Sequence, residues 1–220
     1  RACQVWLGVG RRAGSTLWQQ RWAIRVFYLC IERHASTILA PCSHGIGMAG
    51  VAPDVELMAL RACHEEDGAG RCNTFSLALA LDHAVVGGAD VVNLSIGGPP
   101  DRLLAALVAR AQERGALVVA ADGEAGFPVG LPDVVAVGPI ETGGESLLAP
   151  GLEVLSAEPS GGWDFFTGPS VASAHAAGVA ALLWSGRPGA TAGDIRAALG
   201  RGTLDACAGL DALGGGAGCE

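Results

Sequence analysis

The chain has no lysine: all 14 of its basic residues are Arg, set against 22 acids, for a net charge of −8. A field of that sign repels a polyanion, so no nucleic-acid partner is expected. No apolar run reaches the length of a membrane span and no signal peptide is visible, so no membrane partner is expected either. The chain begins at Arg1 rather than Met, and a fragment of a longer protein is expected. The seven Cys, at positions 3, 30, 42, 63, 72, 207 and 219, include no CxxC pair. Cys42, His44, Cys63 and His64 have no recognisable ligand spacing, which argues against a metal site. No Asp occurs before Asp54, and no internal repeat is evident.

What the chain does contain fits a tightly packed α/β domain. At 220 residues it is long enough to bury one real core, and 50% hydrophobic residues with 34 Gly argue against disorder. Charge is unevenly spread. Residues 1–43 hold six Arg against Glu32 alone, while the remainder carries eight Arg against 21 acids. This divides the chain into a divergent N-terminal segment (1–43), a core (44–203) and a flexible tail (204–220). Cys63 and Cys72 bracket the polar run HEEDGAGR, a span that a disulfide can close in a secreted protein, as Cys207 and Cys219 can near the C-terminus. Free, partly buried thiols are the alternative.

Apolar runs at 55–61, 90–96, 116–121 and 133–138 read as strands buried on both faces, the pattern of a parallel sheet. Helical stretches are expected at 73–86, capped by Asn73 or Thr74, and at 101–114, capped by Asp101 above an apolar face at 103, 104, 107, 108 and 111. A buried helix follows at 170–185, then a short one near 191–200. Alternating strand and helix implies right-handed crossovers and a doubly wound, mostly parallel sheet.

Two segments carry chemistry. In FFTGPSVASAHAAGVAALL, residues 165–183, Gly168 permits close backbone approach, Pro169 suits a first helical turn, and Ser170 sits among helix N–H groups without intrahelical acceptors. Such a serine is either a capping residue or a nucleophile whose oxyanion those N–H groups can hold. The second is VWLGVGRRAG followed by VFYLCIE. It reads as strand, glycine turn from Gly8, helix and strand, with Glu32 about 20 residues beyond the glycines. That is the spacing of a dinucleotide-binding unit and the basis of an alternative, oxidoreductase reading.

Resemblance separates these readings. GPSVASAHAAGVAALL resembles the GTSMAxPHVAGxAALL signature of the subtilisin-like serine peptidases (subtilases, peptidase S8), departing at Pro169, Val171 and Ala174. MAGVAPDVELMALRAC resembles that family's GVAPxAxLxALRV block, and ADVVNLSIGGPP its DVVNMSLGGP strand. FPVGLPDVVAVG is similar to YPAxxPxVIAVG, and LLAPGLEVLSAEPSGGWDFFTG to APGxxVLSTxPGGxYxxxSG. Five blocks thus follow one another in family order from about Gly45 to Leu183.

The resemblance implies a three-layer α/β fold and serine endopeptidase chemistry on polypeptides, with Ser170 as nucleophile. It implies an extracellular or cell-envelope monomer that needs no cofactor; a structural calcium is allowed by analogy, but no ligand cluster is visible. A serine hydroxyl needs a base and an orienting acid. His34 is the expected base on spacing, since Gly50 lies 16 residues beyond it but only 6 beyond His44, the alternative. The family's acid ends a strand of the type VAVIDTG; the matching run, VWLGVG, has Gly8 there, and Glu32 is the only other acid nearby. Loss of the acid costs about 10⁴ in rate in well-studied triads. The family's AAAGN element donates from an Asn side chain to the oxyanion, whereas the matching VAADGE ends in Glu124. Ser95, Ile96 and Gly97 are expected to pair with an extended substrate, with Gly97 and Gly98 leaving room for its side chains. His175 is expected to be a packed structural residue, with His64 and His83 at the surface. A second alternative keeps the fold without hydrolysis, as a peptide-binding pseudoenzyme or a truncated relic.

Overall fold

The computed structural model describes residues 25–29, 49–66, 69–123, 126–157 and 162–215. Its strands are β1 (Arg25–Leu29), β2 (Glu56–Leu60), β3 (Cys63–Glu66), β4 (Ala69–Cys72), β5 (Val91–Leu94), β6 (Leu117–Ala121), β7 (Val135–Pro139), β8 (Leu147–Ala149), β9 (Val154–Ala157) and β10 (Trp163–Phe166). The helices are α1 (Thr74–Val86), α2 (Arg102–Glu113), α3 (Pro169–Gly186), α4 (Ala192–Leu199) and α5 (Ala206–Ala212). Six strands make an all-parallel sheet in the order β2-β1-β5-β6-β7-β8. Two antiparallel hairpins, β3–β4 and β9–β10, stand apart from it.

Period-two alternation along the central strands produces three layers. Val91, Leu117, Val119, Val135 and Val137 pack in one cluster with α3 and α4. Val92, Leu94, Val118 and Ala120 pack in the other with α1 and α2. Strands buried on both faces must be apolar at every position, which is why these runs lack alternation in the sequence.

Helix starts follow their caps. Asn73 accepts from the Ser76 N–H at 2.9 Å, and Asp101 Oδ1 accepts from the Leu103 and Leu104 N–H groups at 2.9 and 3.1 Å. The Thr74 hydroxyl donates to Asp101 at 2.8 Å, tying the starts of α1 and α2 together. Leu104, Val108 and Ala111 form the buried stripe of α2, whereas Leu103 is exposed.

Within the segment 1–43, residues 25–29 form β1, which lies between β2 and β5. Charge bias marks the segment, but strand pairing depends on backbone and burial. The stretch 204–220 is not tail from its first residue: α5 forms over Ala206–Ala212, capped by Asp205 Oδ1, which accepts from the Cys207 and Ala208 N–H groups at 2.9 Å each. Its Gly209 packs so closely on α3 that an added Cβ would lie 2.9 Å from Leu183. The disulfide between Cys63 and Cys72 is formed, joining residues directly opposite in the β3–β4 register. Cys207 is also disulfide-bonded; Cys219 lies outside the described residues.

Candidate active site

All six parallel strands point the same way, so their C-terminal ends share one edge of the sheet, where ligands bind in open α/β folds. Leu29 of β1 is level with Leu94 of β5, and Leu94 with Ala120 of β6. Beyond β5, residues Ser95, Ile96 and Gly97 leave the sheet. Together with Ala121 and Gly123 after β6, and with Pro169 and Ser170 of α3, they line a cleft of about 360 Å³. An added Cβ at Gly97 or Gly98 would meet nothing within 4 Å, so the cleft is open at these glycines. Just beyond it, Gly98 and Phe127 form a two-way backbone bridge, at 3.1 and 3.0 Å.

The turn into α3 presents Ser170. Gly168 caps the helix at φ 139° and ψ 174°, a conformation essentially confined to glycine. Its N–H donates to the Gly151 carbonyl at 2.8 Å, and its carbonyl accepts from the Val171 N–H at 3.2 Å. Pro169 occupies the first helical position. Ser170 follows, so its N–H has no carbonyl one turn back and can point at a developing anion. Gly123 supports the turn from the β6 side: a Cβ there would sit 3.0 Å from Pro169 Cγ.

Beneath Ser170 lies a polar cluster that sequence reasoning missed. Asn93 and Ser173 are fully buried, and Ser95 is 6% exposed. Asn93 Nδ2 donates to Ser95 Oγ at 2.9 Å, Ser95 Oγ lies 3.0 Å from Ser173 Oγ, and the Ser173 hydroxyl donates to the Ser170 carbonyl at 3.0 Å. The available signal was Asn93 itself, a polar residue inside the apolar run VVNL.

His175 is half-buried on α3, its Nδ1 3.1 Å from the Val171 carbonyl. Burial holds its imidazole below the usual histidine range, although the Val171 and Pro150 carbonyls pull the other way. It is a packed histidine, whereas His64 and His83 are exposed. Gly8, Glu32, His34, His44 and Glu124 lie outside the described residues. Among the described residues no group of three His, Cys, Asp or Glu side chains comes together, so no calcium site is assigned. No helix of the described residues is long and apolar enough to cross a membrane.

Fold and site together define a class: a three-layer, parallel α/β protein that presents a serine at a helix start over the C-terminal edge of its sheet. The sequence matches the subtilase family, peptidase S8, over residues 33–213, and the chain belongs to that family. It is 33% identical to subtilisin DY of Bacillus licheniformis, covering 74% of this chain and 66% of that protein. It is 34% identical to the M-protease of Shouchella clausii (strain KSM-K16), covering 70% and 44%. The chain thus spans less than two thirds of the length of these curated relatives. Among solved structures, the self-cleaved protease domain of PatA is similar with a TM-score of 0.75 at 25% identity, covering 88% of this chain and 97% of that one. The prenylagaramide maturation protease PagA, at 23% identity and a TM-score of 0.76, shares the fold over 87% of this chain and 93% of its own.

Proposed function

We propose that this chain is a serine endopeptidase that hydrolyses polypeptides through an acyl-enzyme on Ser170. The observation that carries this reading is Ser170 in the second position of α3, in one cleft with Ser95, Ile96 and Gly97. An extended peptide lies along residues 95–97, adding a strand beside the end of β5. Ser170 Oγ attacks the scissile carbonyl carbon and passes its proton to the imidazole of His34. The tetrahedral oxyanion is held by the Ser170 N–H at the positive end of α3. Collapse breaks the C–N bond, the imidazole returns the proton to the leaving amine, and water then cleaves the ester by the same route.

His34 is proposed as base on its spacing from the GVAP block; β1 ends at Leu29, level with Leu94 of β5, five residues before His34. Two departures limit the rate. With Gly8 at the acid position the imidazole lacks its orienting carboxylate, and with Glu124 at the donor position the oxyanion lacks an amide. The second loss costs about 10²–10³, a magnitude known from subtilisin itself rather than worked out on this chain. Family membership and these protease relatives favour neither the pseudoenzyme nor the dinucleotide reading.

The substrate class is polypeptide, and the site of action is extracellular or at the cell envelope. The Cys63–Cys72 disulfide supports that location, since such bonds persist in oxidising compartments. A monomer is the proposed state. The test is hydrolysis of an unfolded protein substrate by the wild type, by His34→Ala and His44→Ala, and by Glu124→Asn. Loss with His34→Ala, retention with His44→Ala and a gain with Glu124→Asn are expected. An active His34→Ala variant, or an unchanged Glu124→Asn variant, refutes the corresponding assignment.

A further inference from the structure

We infer that Ser173 and Ser95 are positioning residues: a buried relay from Asn93 through their hydroxyls fixes the Ser170 main chain to the strand end that receives the substrate. Within the cluster, one arrangement of the protons uses every short contact. Each serine has a single O–H to give. Asn93 Nδ2 donates to Ser95 Oγ at 2.9 Å, Ser95 donates to Ser173 Oγ at 3.0 Å, and Ser173 donates to the Ser170 carbonyl at 3.0 Å. Ser95 Oγ also lies 3.3 Å from the same carbonyl, a longer and competing destination for its one proton. The relay therefore runs in one direction, from the strand to the nucleophile's own peptide group.

Its placement is what gives it a role. The Ser170 carbonyl sets ψ of the nucleophile residue, while Ser95 opens the segment Ser95–Gly97 that lines the cleft. Reacting atoms must be held near 3 Å, and small misplacements cost rate steeply. A covalent tie is absent here: residues 95 and 170 are 75 apart in sequence, and the relay joins them through hydrogen bonds. Asn93 Oδ1 is buried with no hydrogen-bond partner among the described residues. An orphan acceptor is costly, so an apolar residue would suit stability better at this point of an otherwise apolar strand. What the side chain contributes here is the amide N–H that it donates to Ser95.

This inference rests on Ser170 being the nucleophile, and the test separates the two. A biotinylated alkyl fluorophosphonate reacts by forming a Ser170 Oγ–P bond and expelling fluoride, with the serine proton passing to the base. Its labelling kinetics on Ser173→Ala, Ser95→Ala and the double variant give the maximal rate and the half-saturating concentration separately. We expect a fall of about tenfold in maximal rate for each single variant, with half-saturation within about twofold and no further fall in the double variant, because the relay acts as a unit. Ser173→Cys keeps the volume but offers a weak donor, and should follow Ser173→Ala. Wild-type rates in Ser173→Ala and Ser95→Ala, or strictly additive losses, overturn the relay. If the wild type itself does not label, the proposed activity fails. Amide hydrogen exchange over residues 168–174 then decides: faster exchange in both single variants supports the relay, and unchanged exchange overturns it.

Discussion

Replacing Gly168 by Ala tests the turn that presents Ser170. Gly168 sits at φ 139° and ψ 174°, where a residue with a side chain pays about 1–3 kcal/mol. The added Cβ would meet nothing within 4 Å, so the whole cost lies in the backbone and none in packing. Restricting the unfolded chain returns about 0.4–1 kcal/mol. The net expected loss lies between about 0 and 2.6 kcal/mol, near 1.3 kcal/mol at the middle of both ranges, if the turn keeps its shape. The turn can instead relax, but only by giving up the 2.8 Å bond from Gly168 N–H to the Gly151 carbonyl or the 3.2 Å bond from Val171 N–H. Relaxation would move Ser170. Urea unfolding and fluorophosphonate labelling on the same variant therefore divide the outcomes. Either the midpoint falls with an unchanged slope, or stability holds and labelling slows. A variant within about 0.5 kcal/mol of wild type that also labels at the wild-type rate would refute the argument that this glycine's conformation positions the serine.

Gly178→Ala probes the seat of α3: helix propensity alone predicts a gain of about 1 kcal/mol, but the new Cβ would lie 2.7 Å from Val51 Cβ. Overpacking of about 1–3 kcal/mol should outweigh that gain, and adding Val51→Ala should restore part of the loss in a double-mutant cycle of unfolding free energies. Removing the Cys63–Cys72 bridge by double Ser substitution frees a loop of sequence separation 9, with an expected loss of about 2–3 kcal/mol read from the urea midpoint. Stability should also fall as pH drops below about 6.5, because burial lowers the folded pKa of His175 and the unfolded chain then binds the proton first. The slope from this half-buried group stays below about 1.4 kcal/mol per pH unit, and His175→Gln should remove it from the pH profile of thermal unfolding.

Much of the fold could be read in the chain because its strands are buried on both faces. VELMALR, DVVNLSI and ALVVAA each contain a strand of the parallel sheet, at 56–60, 91–94 and 117–121, and DVVAVG holds all of the strand 135–139 but its last residue. Asp101 and Asn73 begin their helices as capping chemistry requires. The hairpins β3–β4 and β9–β10 were not legible because their strands are four residues each, with cross-strand pairing rather than a long apolar run to define them. Helix α5 is seven residues long in a Gly-rich stretch, held by its Asp205 cap and by contact with α3 that no local pattern records.

The site was legible by halves. Ser170 and the segment Ser95–Gly97 share a cleft, as motif order implied, since both follow apolar elements whose places in the sheet are strongly specified. The Asn93–Ser95–Ser173 relay was not legible, because it depends on a strand and a helix 78 residues apart meeting at hydrogen-bond distance. His34, Gly8 and Glu124 are placed by motif order, which local sequence records directly.

The most direct test of the central claim is to treat the wild-type chain with the fluorophosphonate and locate the adduct by peptide mapping. The account predicts slow modification on Ser170, lost in Ser170→Ala and further slowed in His34→Ala. No adduct under conditions where an active subtilase reacts fully, or an adduct on another residue, would contradict it.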